Sequence, residues 1–281
     1  MRQTRARKIF KDCFGQNNHY LITTLVGLDY IENNEVKCPE TFSTSWNPRD
    51  KCNSVYRSRN FVLSTFLSSA VDGIDLYLNV LCEEPRIILD NNYFKEFSEL
   101  RFVSAKFTLA SEYFKTNNVI NSLCRLLITI RNIHVHNGAN NNISDEDIKC
   151  LLGNKENIEK EYCGCNIEQL ISKIKTKESI TFKEVATLIK ATHKFVEEVD
   201  TKIISKIDND NEHEYYCRSL LYLLKGNKVS KEKYLRMQSE DKIRFIKNLF
   251  MNNIGISVED SNYIDMTKLN HFCAFDIENF T

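Results

Sequence analysis

Helix breakers are scarce in this chain of 281 residues. It has 8 glycines and 3 prolines, and all three prolines (Pro39, Pro48 and Pro85) fall in the first third. So few turn-formers argue against a fold of many short strands and favour a mostly helical one. An excess of one charge is missing too. Lys plus Arg and Asp plus Glu each number 38, so the chain has no global basic field. Any contact with nucleic acid must come from a local patch or from a site completed by a second subunit. No stretch approaches the roughly 18 uninterrupted apolar residues that a membrane span needs, so no membrane contact is expected. The basic start (Arg2, Arg5, Arg7, Lys8, Lys11) runs into Ile9-Phe10-Lys11-Asp12 without the apolar segment of a secretory signal. These readings predict a soluble, cytoplasmic protein.

Hydrophobic residues make up 42% of the chain, enough for a real core, and the length fits one large or two small domains. Ten cysteines would suit a disulfide scaffold in a small secreted domain, but in a large chain without an export signal they read as reduced thiols. Cys82, Cys124, Cys150 and Cys217 fall in helical patterns as small buried hydrophobes. Cys163 and Cys165 flank Gly164 as a lone Cys-x-Cys, with no second pair to complete a zinc site. Neither a metal nor a cofactor is expected.

Periodicity divides the chain into three parts: an irregular N-terminal extension (1–57), a helical bundle (58–207) and a small helical C-terminal region (208–281). In the first, the β-branched run Tyr20 to Leu28 reads as a strand or a short helix, followed by a polar loop with Trp46. From Ser58 a stripe of Val62, Phe66, Val71, Ile74, Leu78 and Leu81 marks a long helix ended by Pro85. A second helical region spans about Tyr93 to Phe114, with Phe94, Phe97, Val103, Phe107 and Leu109 inward. A third starts after Asn117-Asn118, carries Ile120, Leu123, Leu127 and Ile130 inward, and stops at Asn137-Gly138. Ser144 caps a helix from Asp145 to Leu152. Thr181 and Glu184 form a capping box ahead of a long helix with Val185, Leu188, Ile189, Val196, Val199, Ile203 and Ile207 on one face. The acidic run Asp208 to Glu212 reads as a boundary. Further helices follow over Tyr215 to Leu224 and Ser239 to Phe250, separated by Gly226 and ended near Gly255.

One stretch concentrates chemically able groups: Leu126-Leu127-Ile128-Thr129-Ile130-Arg131-Asn132-Ile133-His134-Val135-His136-Asn137-Gly138. On a helix, Asn132 and His136 lie one above the other, and Arg131, on the adjoining face, can bring its guanidinium beside the imidazole. A planar cation, an amide and a titratable base then share reach of one phosphate. His136 can move a proton, Arg131 can stabilise charge developing on phosphate oxygens, and Asn132 can hold either in register. The last turn of a helix favours the imidazolium form, which leans His136 towards an acid or a phosphate-binding cation. His134 sits about 200° from His136, which argues against a shared metal. It reads as packed against the bundle, with a minor substrate-binding role as the alternative.

This Arg131-Asn132-x3-His136 pattern resembles the Arg-x4-6-His signature, with a polar residue after the Arg, of the HEPN ribonuclease superfamily. The resemblance covers about residues 58–207 and implies an antiparallel HEPN-like helical bundle that pairs as a homodimer, with two Arg/His sets facing each other in a composite active site. It also implies metal-independent endoribonuclease activity on RNA such as tRNA or mRNA. The ribose 2′-hydroxyl would attack its own phosphate, leaving a 2′,3′-cyclic phosphate and a 5′-hydroxyl. Members of the superfamily serve as toxins or effectors in antiphage defence and toxin–antitoxin systems, which implies an inhibitor or trigger protein as a further partner. Some carry a Tyr two residues after the His that a partner nucleotidyltransferase modifies. Gly138 stands there in this chain, so that mode of control is not supported.

Two other readings use the same residues differently. One is a non-catalytic helical module that dimerises or binds RNA or nucleotide, with Arg131 and His136 as anion ligands. The other is a helical adaptor without a nucleic-acid role. Asp72 and Asp75 could face the bundle's cleft, although solvent exposure or an ion pair explains them more simply. His19, His193, His213 and His271 have no companions at ligand spacing. The basic N-terminal arm is either a phosphate contact or a solvated terminus.

Overall fold

The computed structural model describes residues 3–135, 142–176, 178–206, 209–255, 264–265 and 269, and the regular elements among them are helical, with no strand. In order they are α1 (Arg5–Phe14), α2 (Asn17–Asn33), a 3₁₀ turn (Glu40–Phe42), α3 (Lys51–Cys82), α4 (Asn91–Glu99), α5 (Val103–Tyr113), α6 (Asn118–Val135) and α7 (Asp145–Gly153). They continue with α8 (Lys155–Glu161), α9 (Ile167–Thr176), α10 (Phe182–Ser205), α11 (Asn209–Lys225), α12 (Lys228–Arg236) and α13 (Ser239–Asn253). The chain forms two compact units, each assembled from separated stretches. Unit 1 takes Met1–Lys11, Asp75–Lys115 and Val196–Thr281, and unit 2 takes Asp12–Ile74 and Thr116–Phe195.

Unit 2 carries the motif. Its α2 lies antiparallel to the first half of α3, because Asn17 Nδ2 donates to Ser69 Oγ (3.0 Å) near one end and Lys51 Nζ to the Asn34 carbonyl (3.1 Å) at the other. Between them Arg59 Nη2 donates to Glu32 Oε2 at 3.1 Å. The buried face of this part of α3 is Leu63, Leu67, Ala70, Val71 and Ile74. Helix α6 buries Leu123, Leu126, Leu127 and Ile130 and packs against α7, while α7 and α8 pack on α9. The first turn of α7 is capped by Ser144, whose Oγ accepts from Asp147 N at 3.1 Å. The capping box of α10 is present: Thr181 N donates to Glu184 Oε2 (2.6 Å), and Glu184 N to Thr181 Oγ1 (3.4 Å).

In unit 1, Tyr215, Tyr216, Leu220 and Leu224 of α11 share a core with Tyr234 of α12 and Ile246 and Phe250 of α13. Asp90 caps α4, accepting from Asn92 N (2.9 Å) and Tyr93 N (3.2 Å). The rings of Tyr93, Phe97, Tyr113 and Phe114 cluster beneath it. Helix α13 gives way at Gly255, which takes φ +77° and donates its N–H to the Phe250 carbonyl at 3.0 Å. Only glycine adopts that conformation at little cost.

Several expectations need correction. The N-terminal extension is not irregular through its length: α1 and α2 make it helical to Asn33, and Tyr20 to Leu28 lies inside α2. Of the two readings of that run, strand or short helix, the helix is the one observed, with Leu21 its buried apolar residue. Along α3, Val62 and Phe66 are only half-buried, and Leu63 and Leu67 do the burying. The region from Tyr93 to Phe114 is two helices, with Leu100 and Phe102 extended between them. Glu96 and Glu99 near the end of α4 oppose its dipole and favour the stop. The acidic run before Glu212 is no linker, since α11 already begins at Asn209. Helix α12 was not foreseen, although Asn227 caps it by accepting from Ser230 N at 3.0 Å. Cys82 and Cys150 are half-exposed rather than buried. Ile207 and the Asn137-Gly138 stop lie outside the described residues.

Helix α3 is long and apolar enough, by length and composition, to cross a membrane, although it carries no unbroken apolar run. Of its most apolar window, 44% is buried inside the protein, and a core helix meets the same criterion.

Candidate functional site

Helix α6 is started by Asn117, whose Oδ1 accepts from Val119 N (2.9 Å) and Ile120 N (3.3 Å). Thr116 Oγ1 holds Asn121 Oδ1 at 2.7 Å beside it. At about 100° per residue, the buried residues Cys124, Leu127 and Ile128 point Arg131 towards the same side, three or four positions on. Its stem therefore leaves α6 on the packed face, which the sequence reading had not foreseen, and the residue is half-buried. Asn132, also half-buried, sits on the adjoining face, and Arg131 Nη1 donates to its Oδ1 at 3.2 Å. Arg131 Nε is buried with no hydrogen-bond partner among the described residues.

Arg125, earlier on the same helix, differs. Its Nη1 lies 3.2 Å from Asp147 Oδ1, and Asp147 also accepts from Ser122 Oγ and Ser144 Oγ at 2.7 Å each. That cation is committed to joining α6 to α7. Arg131 has no such carboxylate among the described residues. A guanidinium on a packed helix face, with a buried donor unspent, gains by meeting an oxyanion, because an unpaired buried donor costs free energy.

The structure brings Arg131 and Asn132 together. His134 belongs to the last turn of α6. His136, the remaining member of the set, lies outside the described residues. Asp72 is exposed, while Asp75 accepts from Lys106 Nζ at 3.0 Å, a bond that Lys106 supplements with Asn79 Oδ1 at 2.8 Å. His19 is exposed and His193 half-buried. His213 Nε2 lies 3.6 Å from Cys217 Sγ, and His271 lies outside the described residues. From Arg5 on, the N-terminal arm is helical rather than a solvated tail, and its Arg7 is committed: Nη2 meets Glu197 Oε1 at 2.7 Å and Nη1 meets Asp200 Oδ2 at 3.6 Å.

Nucleophilic thiol chemistry finds little support at half-buried Cys82 or at buried Cys124 and Cys165. Burial pushes the Cys82 thiol up to about 12 and Cys165 up to about 11, and holds Cys124 well above the usual thiol range. None of these is a thiolate near neutral pH. A cavity of about 230 Å³ in unit 1, lined by Ile88, Phe114, Ile203, Tyr215, Lys206 and Arg218 among others, escaped sequence reasoning because its walls come from distant segments. Arg218 is partly committed there, donating from Nη1 to the Arg86 carbonyl at 3.1 Å. No family model, curated protein or solved structure matches this chain.

Proposed function

We propose that the protein is a metal-independent endoribonuclease of the HEPN type, acting in the cytoplasm as a toxin or effector in antiphage defence or a toxin–antitoxin system. The observation that carries this reading is Arg131 at the end of α6: bonded to Asn132, free of any carboxylate among the described residues, and holding a buried, unspent Nε donor. Such a cation suits a phosphate whose charge grows in the transition state. His136, five residues on, supplies the proton-transfer group, and the 2′-hydroxyl of the substrate supplies the nucleophile, so no metal is needed. One Arg/His set is short of groups to act as acid, base and charge stabiliser together. A homodimer that joins two sets supplies them.

The test is incubation of purified protein with total RNA in EDTA, beside Arg131→Ala and His136→Ala. Fragments ending in a 2′,3′-cyclic phosphate, lost in both variants, are the expected result. A folded wild type that leaves RNA intact but still binds it would favour the alternative, a non-catalytic RNA- or nucleotide-binding module.

A further inference from the structure

The cavity of about 230 Å³ in unit 1 combines apolar walls with two cations. Phe114, Ile203 and Tyr215 are buried and form its depth. Ile88 and the exposed Leu89 close one side, from the irregular segment between α3 and α4. Of the nine described residues that line it, Lys206 and Arg218 are charged and none is acidic. A cleft of apolar and aromatic side chains on which a few polar groups converge is the usual form of a small-molecule site.

The two cations differ in what already holds them. Lys206, exposed just past the end of α10, has its Nζ over the Tyr113 ring, 5.5 Å from the centroid, and meets no carboxylate among the described residues. Tyr113 is fixed beneath it by donating its hydroxyl to Asp90 Oδ2 at 3.2 Å. Asp90 is itself satisfied by the Asn92 and Tyr93 amides at the start of α4. Arg218 Nη1 donates to the Arg86 carbonyl at 3.1 Å, and Glu214 Oε1 lies 3.5 Å from its Nε. That Nε is buried and forms no hydrogen bond among the described residues. The guanidinium thus keeps donors in reserve, and part of its charge is offset.

We propose that this cavity binds a small hydrocarbon monocarboxylate, with its apolar body against Phe114, Ile203 and Ile88 and its carboxylate on Lys206 and Arg218. Charge selects the head group. With Glu214 already drawing on Arg218, the pair suits one negative charge better than a doubly charged phosphate ester. Volume selects the body. At about 30 Å³ for each water-sized piece, 230 Å³ takes roughly eight such pieces. That fits a chain of about eight carbons or a single substituted ring, and is too little for a nucleotide or a long-chain lipid. Hydrocarbon burial supplies the affinity, and the two cations fix the ligand's direction. The site lies within unit 1, shares no residue with the Arg131 motif of unit 2, and does not rest on the ribonuclease reading.

The test is isothermal titration calorimetry of the full chain with octanoate, octanol and inorganic phosphate. Octanoate should bind once per chain with a Kd of roughly 10–100 µM. Octanol, the same body without the charge, should bind at least about tenfold more weakly, and phosphate, a charge without the body, more weakly still. Lys206→Gln should weaken octanoate by about five- to tenfold and leave octanol unchanged. Leu89→Glu sets a carboxylate at the rim and should weaken octanoate further. Both positions are exposed, and circular dichroism confirms that the variants fold. A folded wild type with no saturable octanoate binding up to millimolar concentration overturns the proposal. So does octanol or phosphate bound as tightly as octanoate, and so does an octanoate affinity that neither substitution moves.

Discussion

Arg125 and Arg131 leave the same helix, yet their surroundings give them different work. Arg125 is held by Asp147, so its loss should loosen α7 without touching chemistry. Arg131 spends one donor on its neighbour's amide and keeps another, Nε, unspent among the described residues. If it stabilises the transition state, Arg131→Ala should cost about 10²–10³ in cleavage rate, and His136→Ala about 10²–10⁴. Arg131→Lys should recover little, because an ammonium cannot present the planar fork. Rates on a defined oligonucleotide in EDTA, with a 2′-deoxy sugar at the cut as the blocked control, check these values. Activity that returns only with added divalent metal would count against the mechanism.

A second residue-scale prediction concerns Asp200, fully buried in unit 1. It accepts from Thr4 N at 3.2 Å, from Thr4 Oγ1, and faces Arg7 at 3.6 Å. Burial raises its carboxyl above the ordinary 3.8, with the Thr4 bonds and Arg7 opposing that rise. A raised carboxyl binds its proton more tightly in the folded state. Its contribution is therefore greatest below the ordinary value and declines as pH rises through the raised one. Asp200→Asn removes that slope, so the variant should gain on wild type as pH climbs from 3.8 towards neutrality. Asp200→Ala instead removes the acceptor of buried Thr4 and one of the two carboxylates beside Arg7, and should cost about 1–3 kcal/mol. Thermal melts of the three proteins across that window decide the sign.

At the scale of the element, start signals were the most legible feature of the sequence. Ser144 and the Thr181/Glu184 box were visible as residue types at fixed offsets, and the bonds are present. The box also orders its own members. Thr181 N reaches Glu184 at 2.6 Å, the return bond is 3.4 Å, and Glu184 also meets Lys173 at 2.8 Å. Thr181→Ala should lower stability by about 1 kcal/mol. Glu184→Ala should lower it more, by about 1.5–3 kcal/mol, because charged bonds on a buried carboxylate are lost. Chemical denaturation midpoints rank the pair.

Stripes were less legible than starts. Of the α3 stripe, Val71, Ile74, Leu78 and Leu81 are buried, but choosing Val62 and Phe66 over Leu63 and Leu67 misjudged its earlier turns, where the helix presents two apolar sides and the packing partner selects one. The run before Glu212 looked like a linker since local polarity says nothing about a helix anchored downstream by Tyr215 and Tyr216. For the site, adjacency of Arg131 and Asn132 followed from sequence spacing. The inward course of the Arg131 stem did not, because it depends on which flank of α6 is covered.

For the molecule as a whole, the proposed composite site makes a prediction that no single subunit can satisfy. Arg131→Ala and His136→Ala are each expected to be inactive, but a dimer formed from one of each retains one Arg and one His. Mixing the two inactive proteins, with time for subunit exchange, should therefore restore part of the cleavage. Two proteins that remain inactive together, while shown by mass to exchange, would place the whole reaction within one subunit.

The interleaving of the two units also bears on how such a gene can change. Each unit is collected from separated stretches of chain, and three of the four divisions fall inside α1, α3 and α10. No single contiguous stretch of coding sequence specifies either unit, so exon-like shuffling, terminal trimming or fusion at one junction cannot transfer one intact. Recombination at the acidic run before Glu212, which looks like a seam in the sequence, would split unit 1 rather than release a domain. Such a chain is inherited as one piece or not at all.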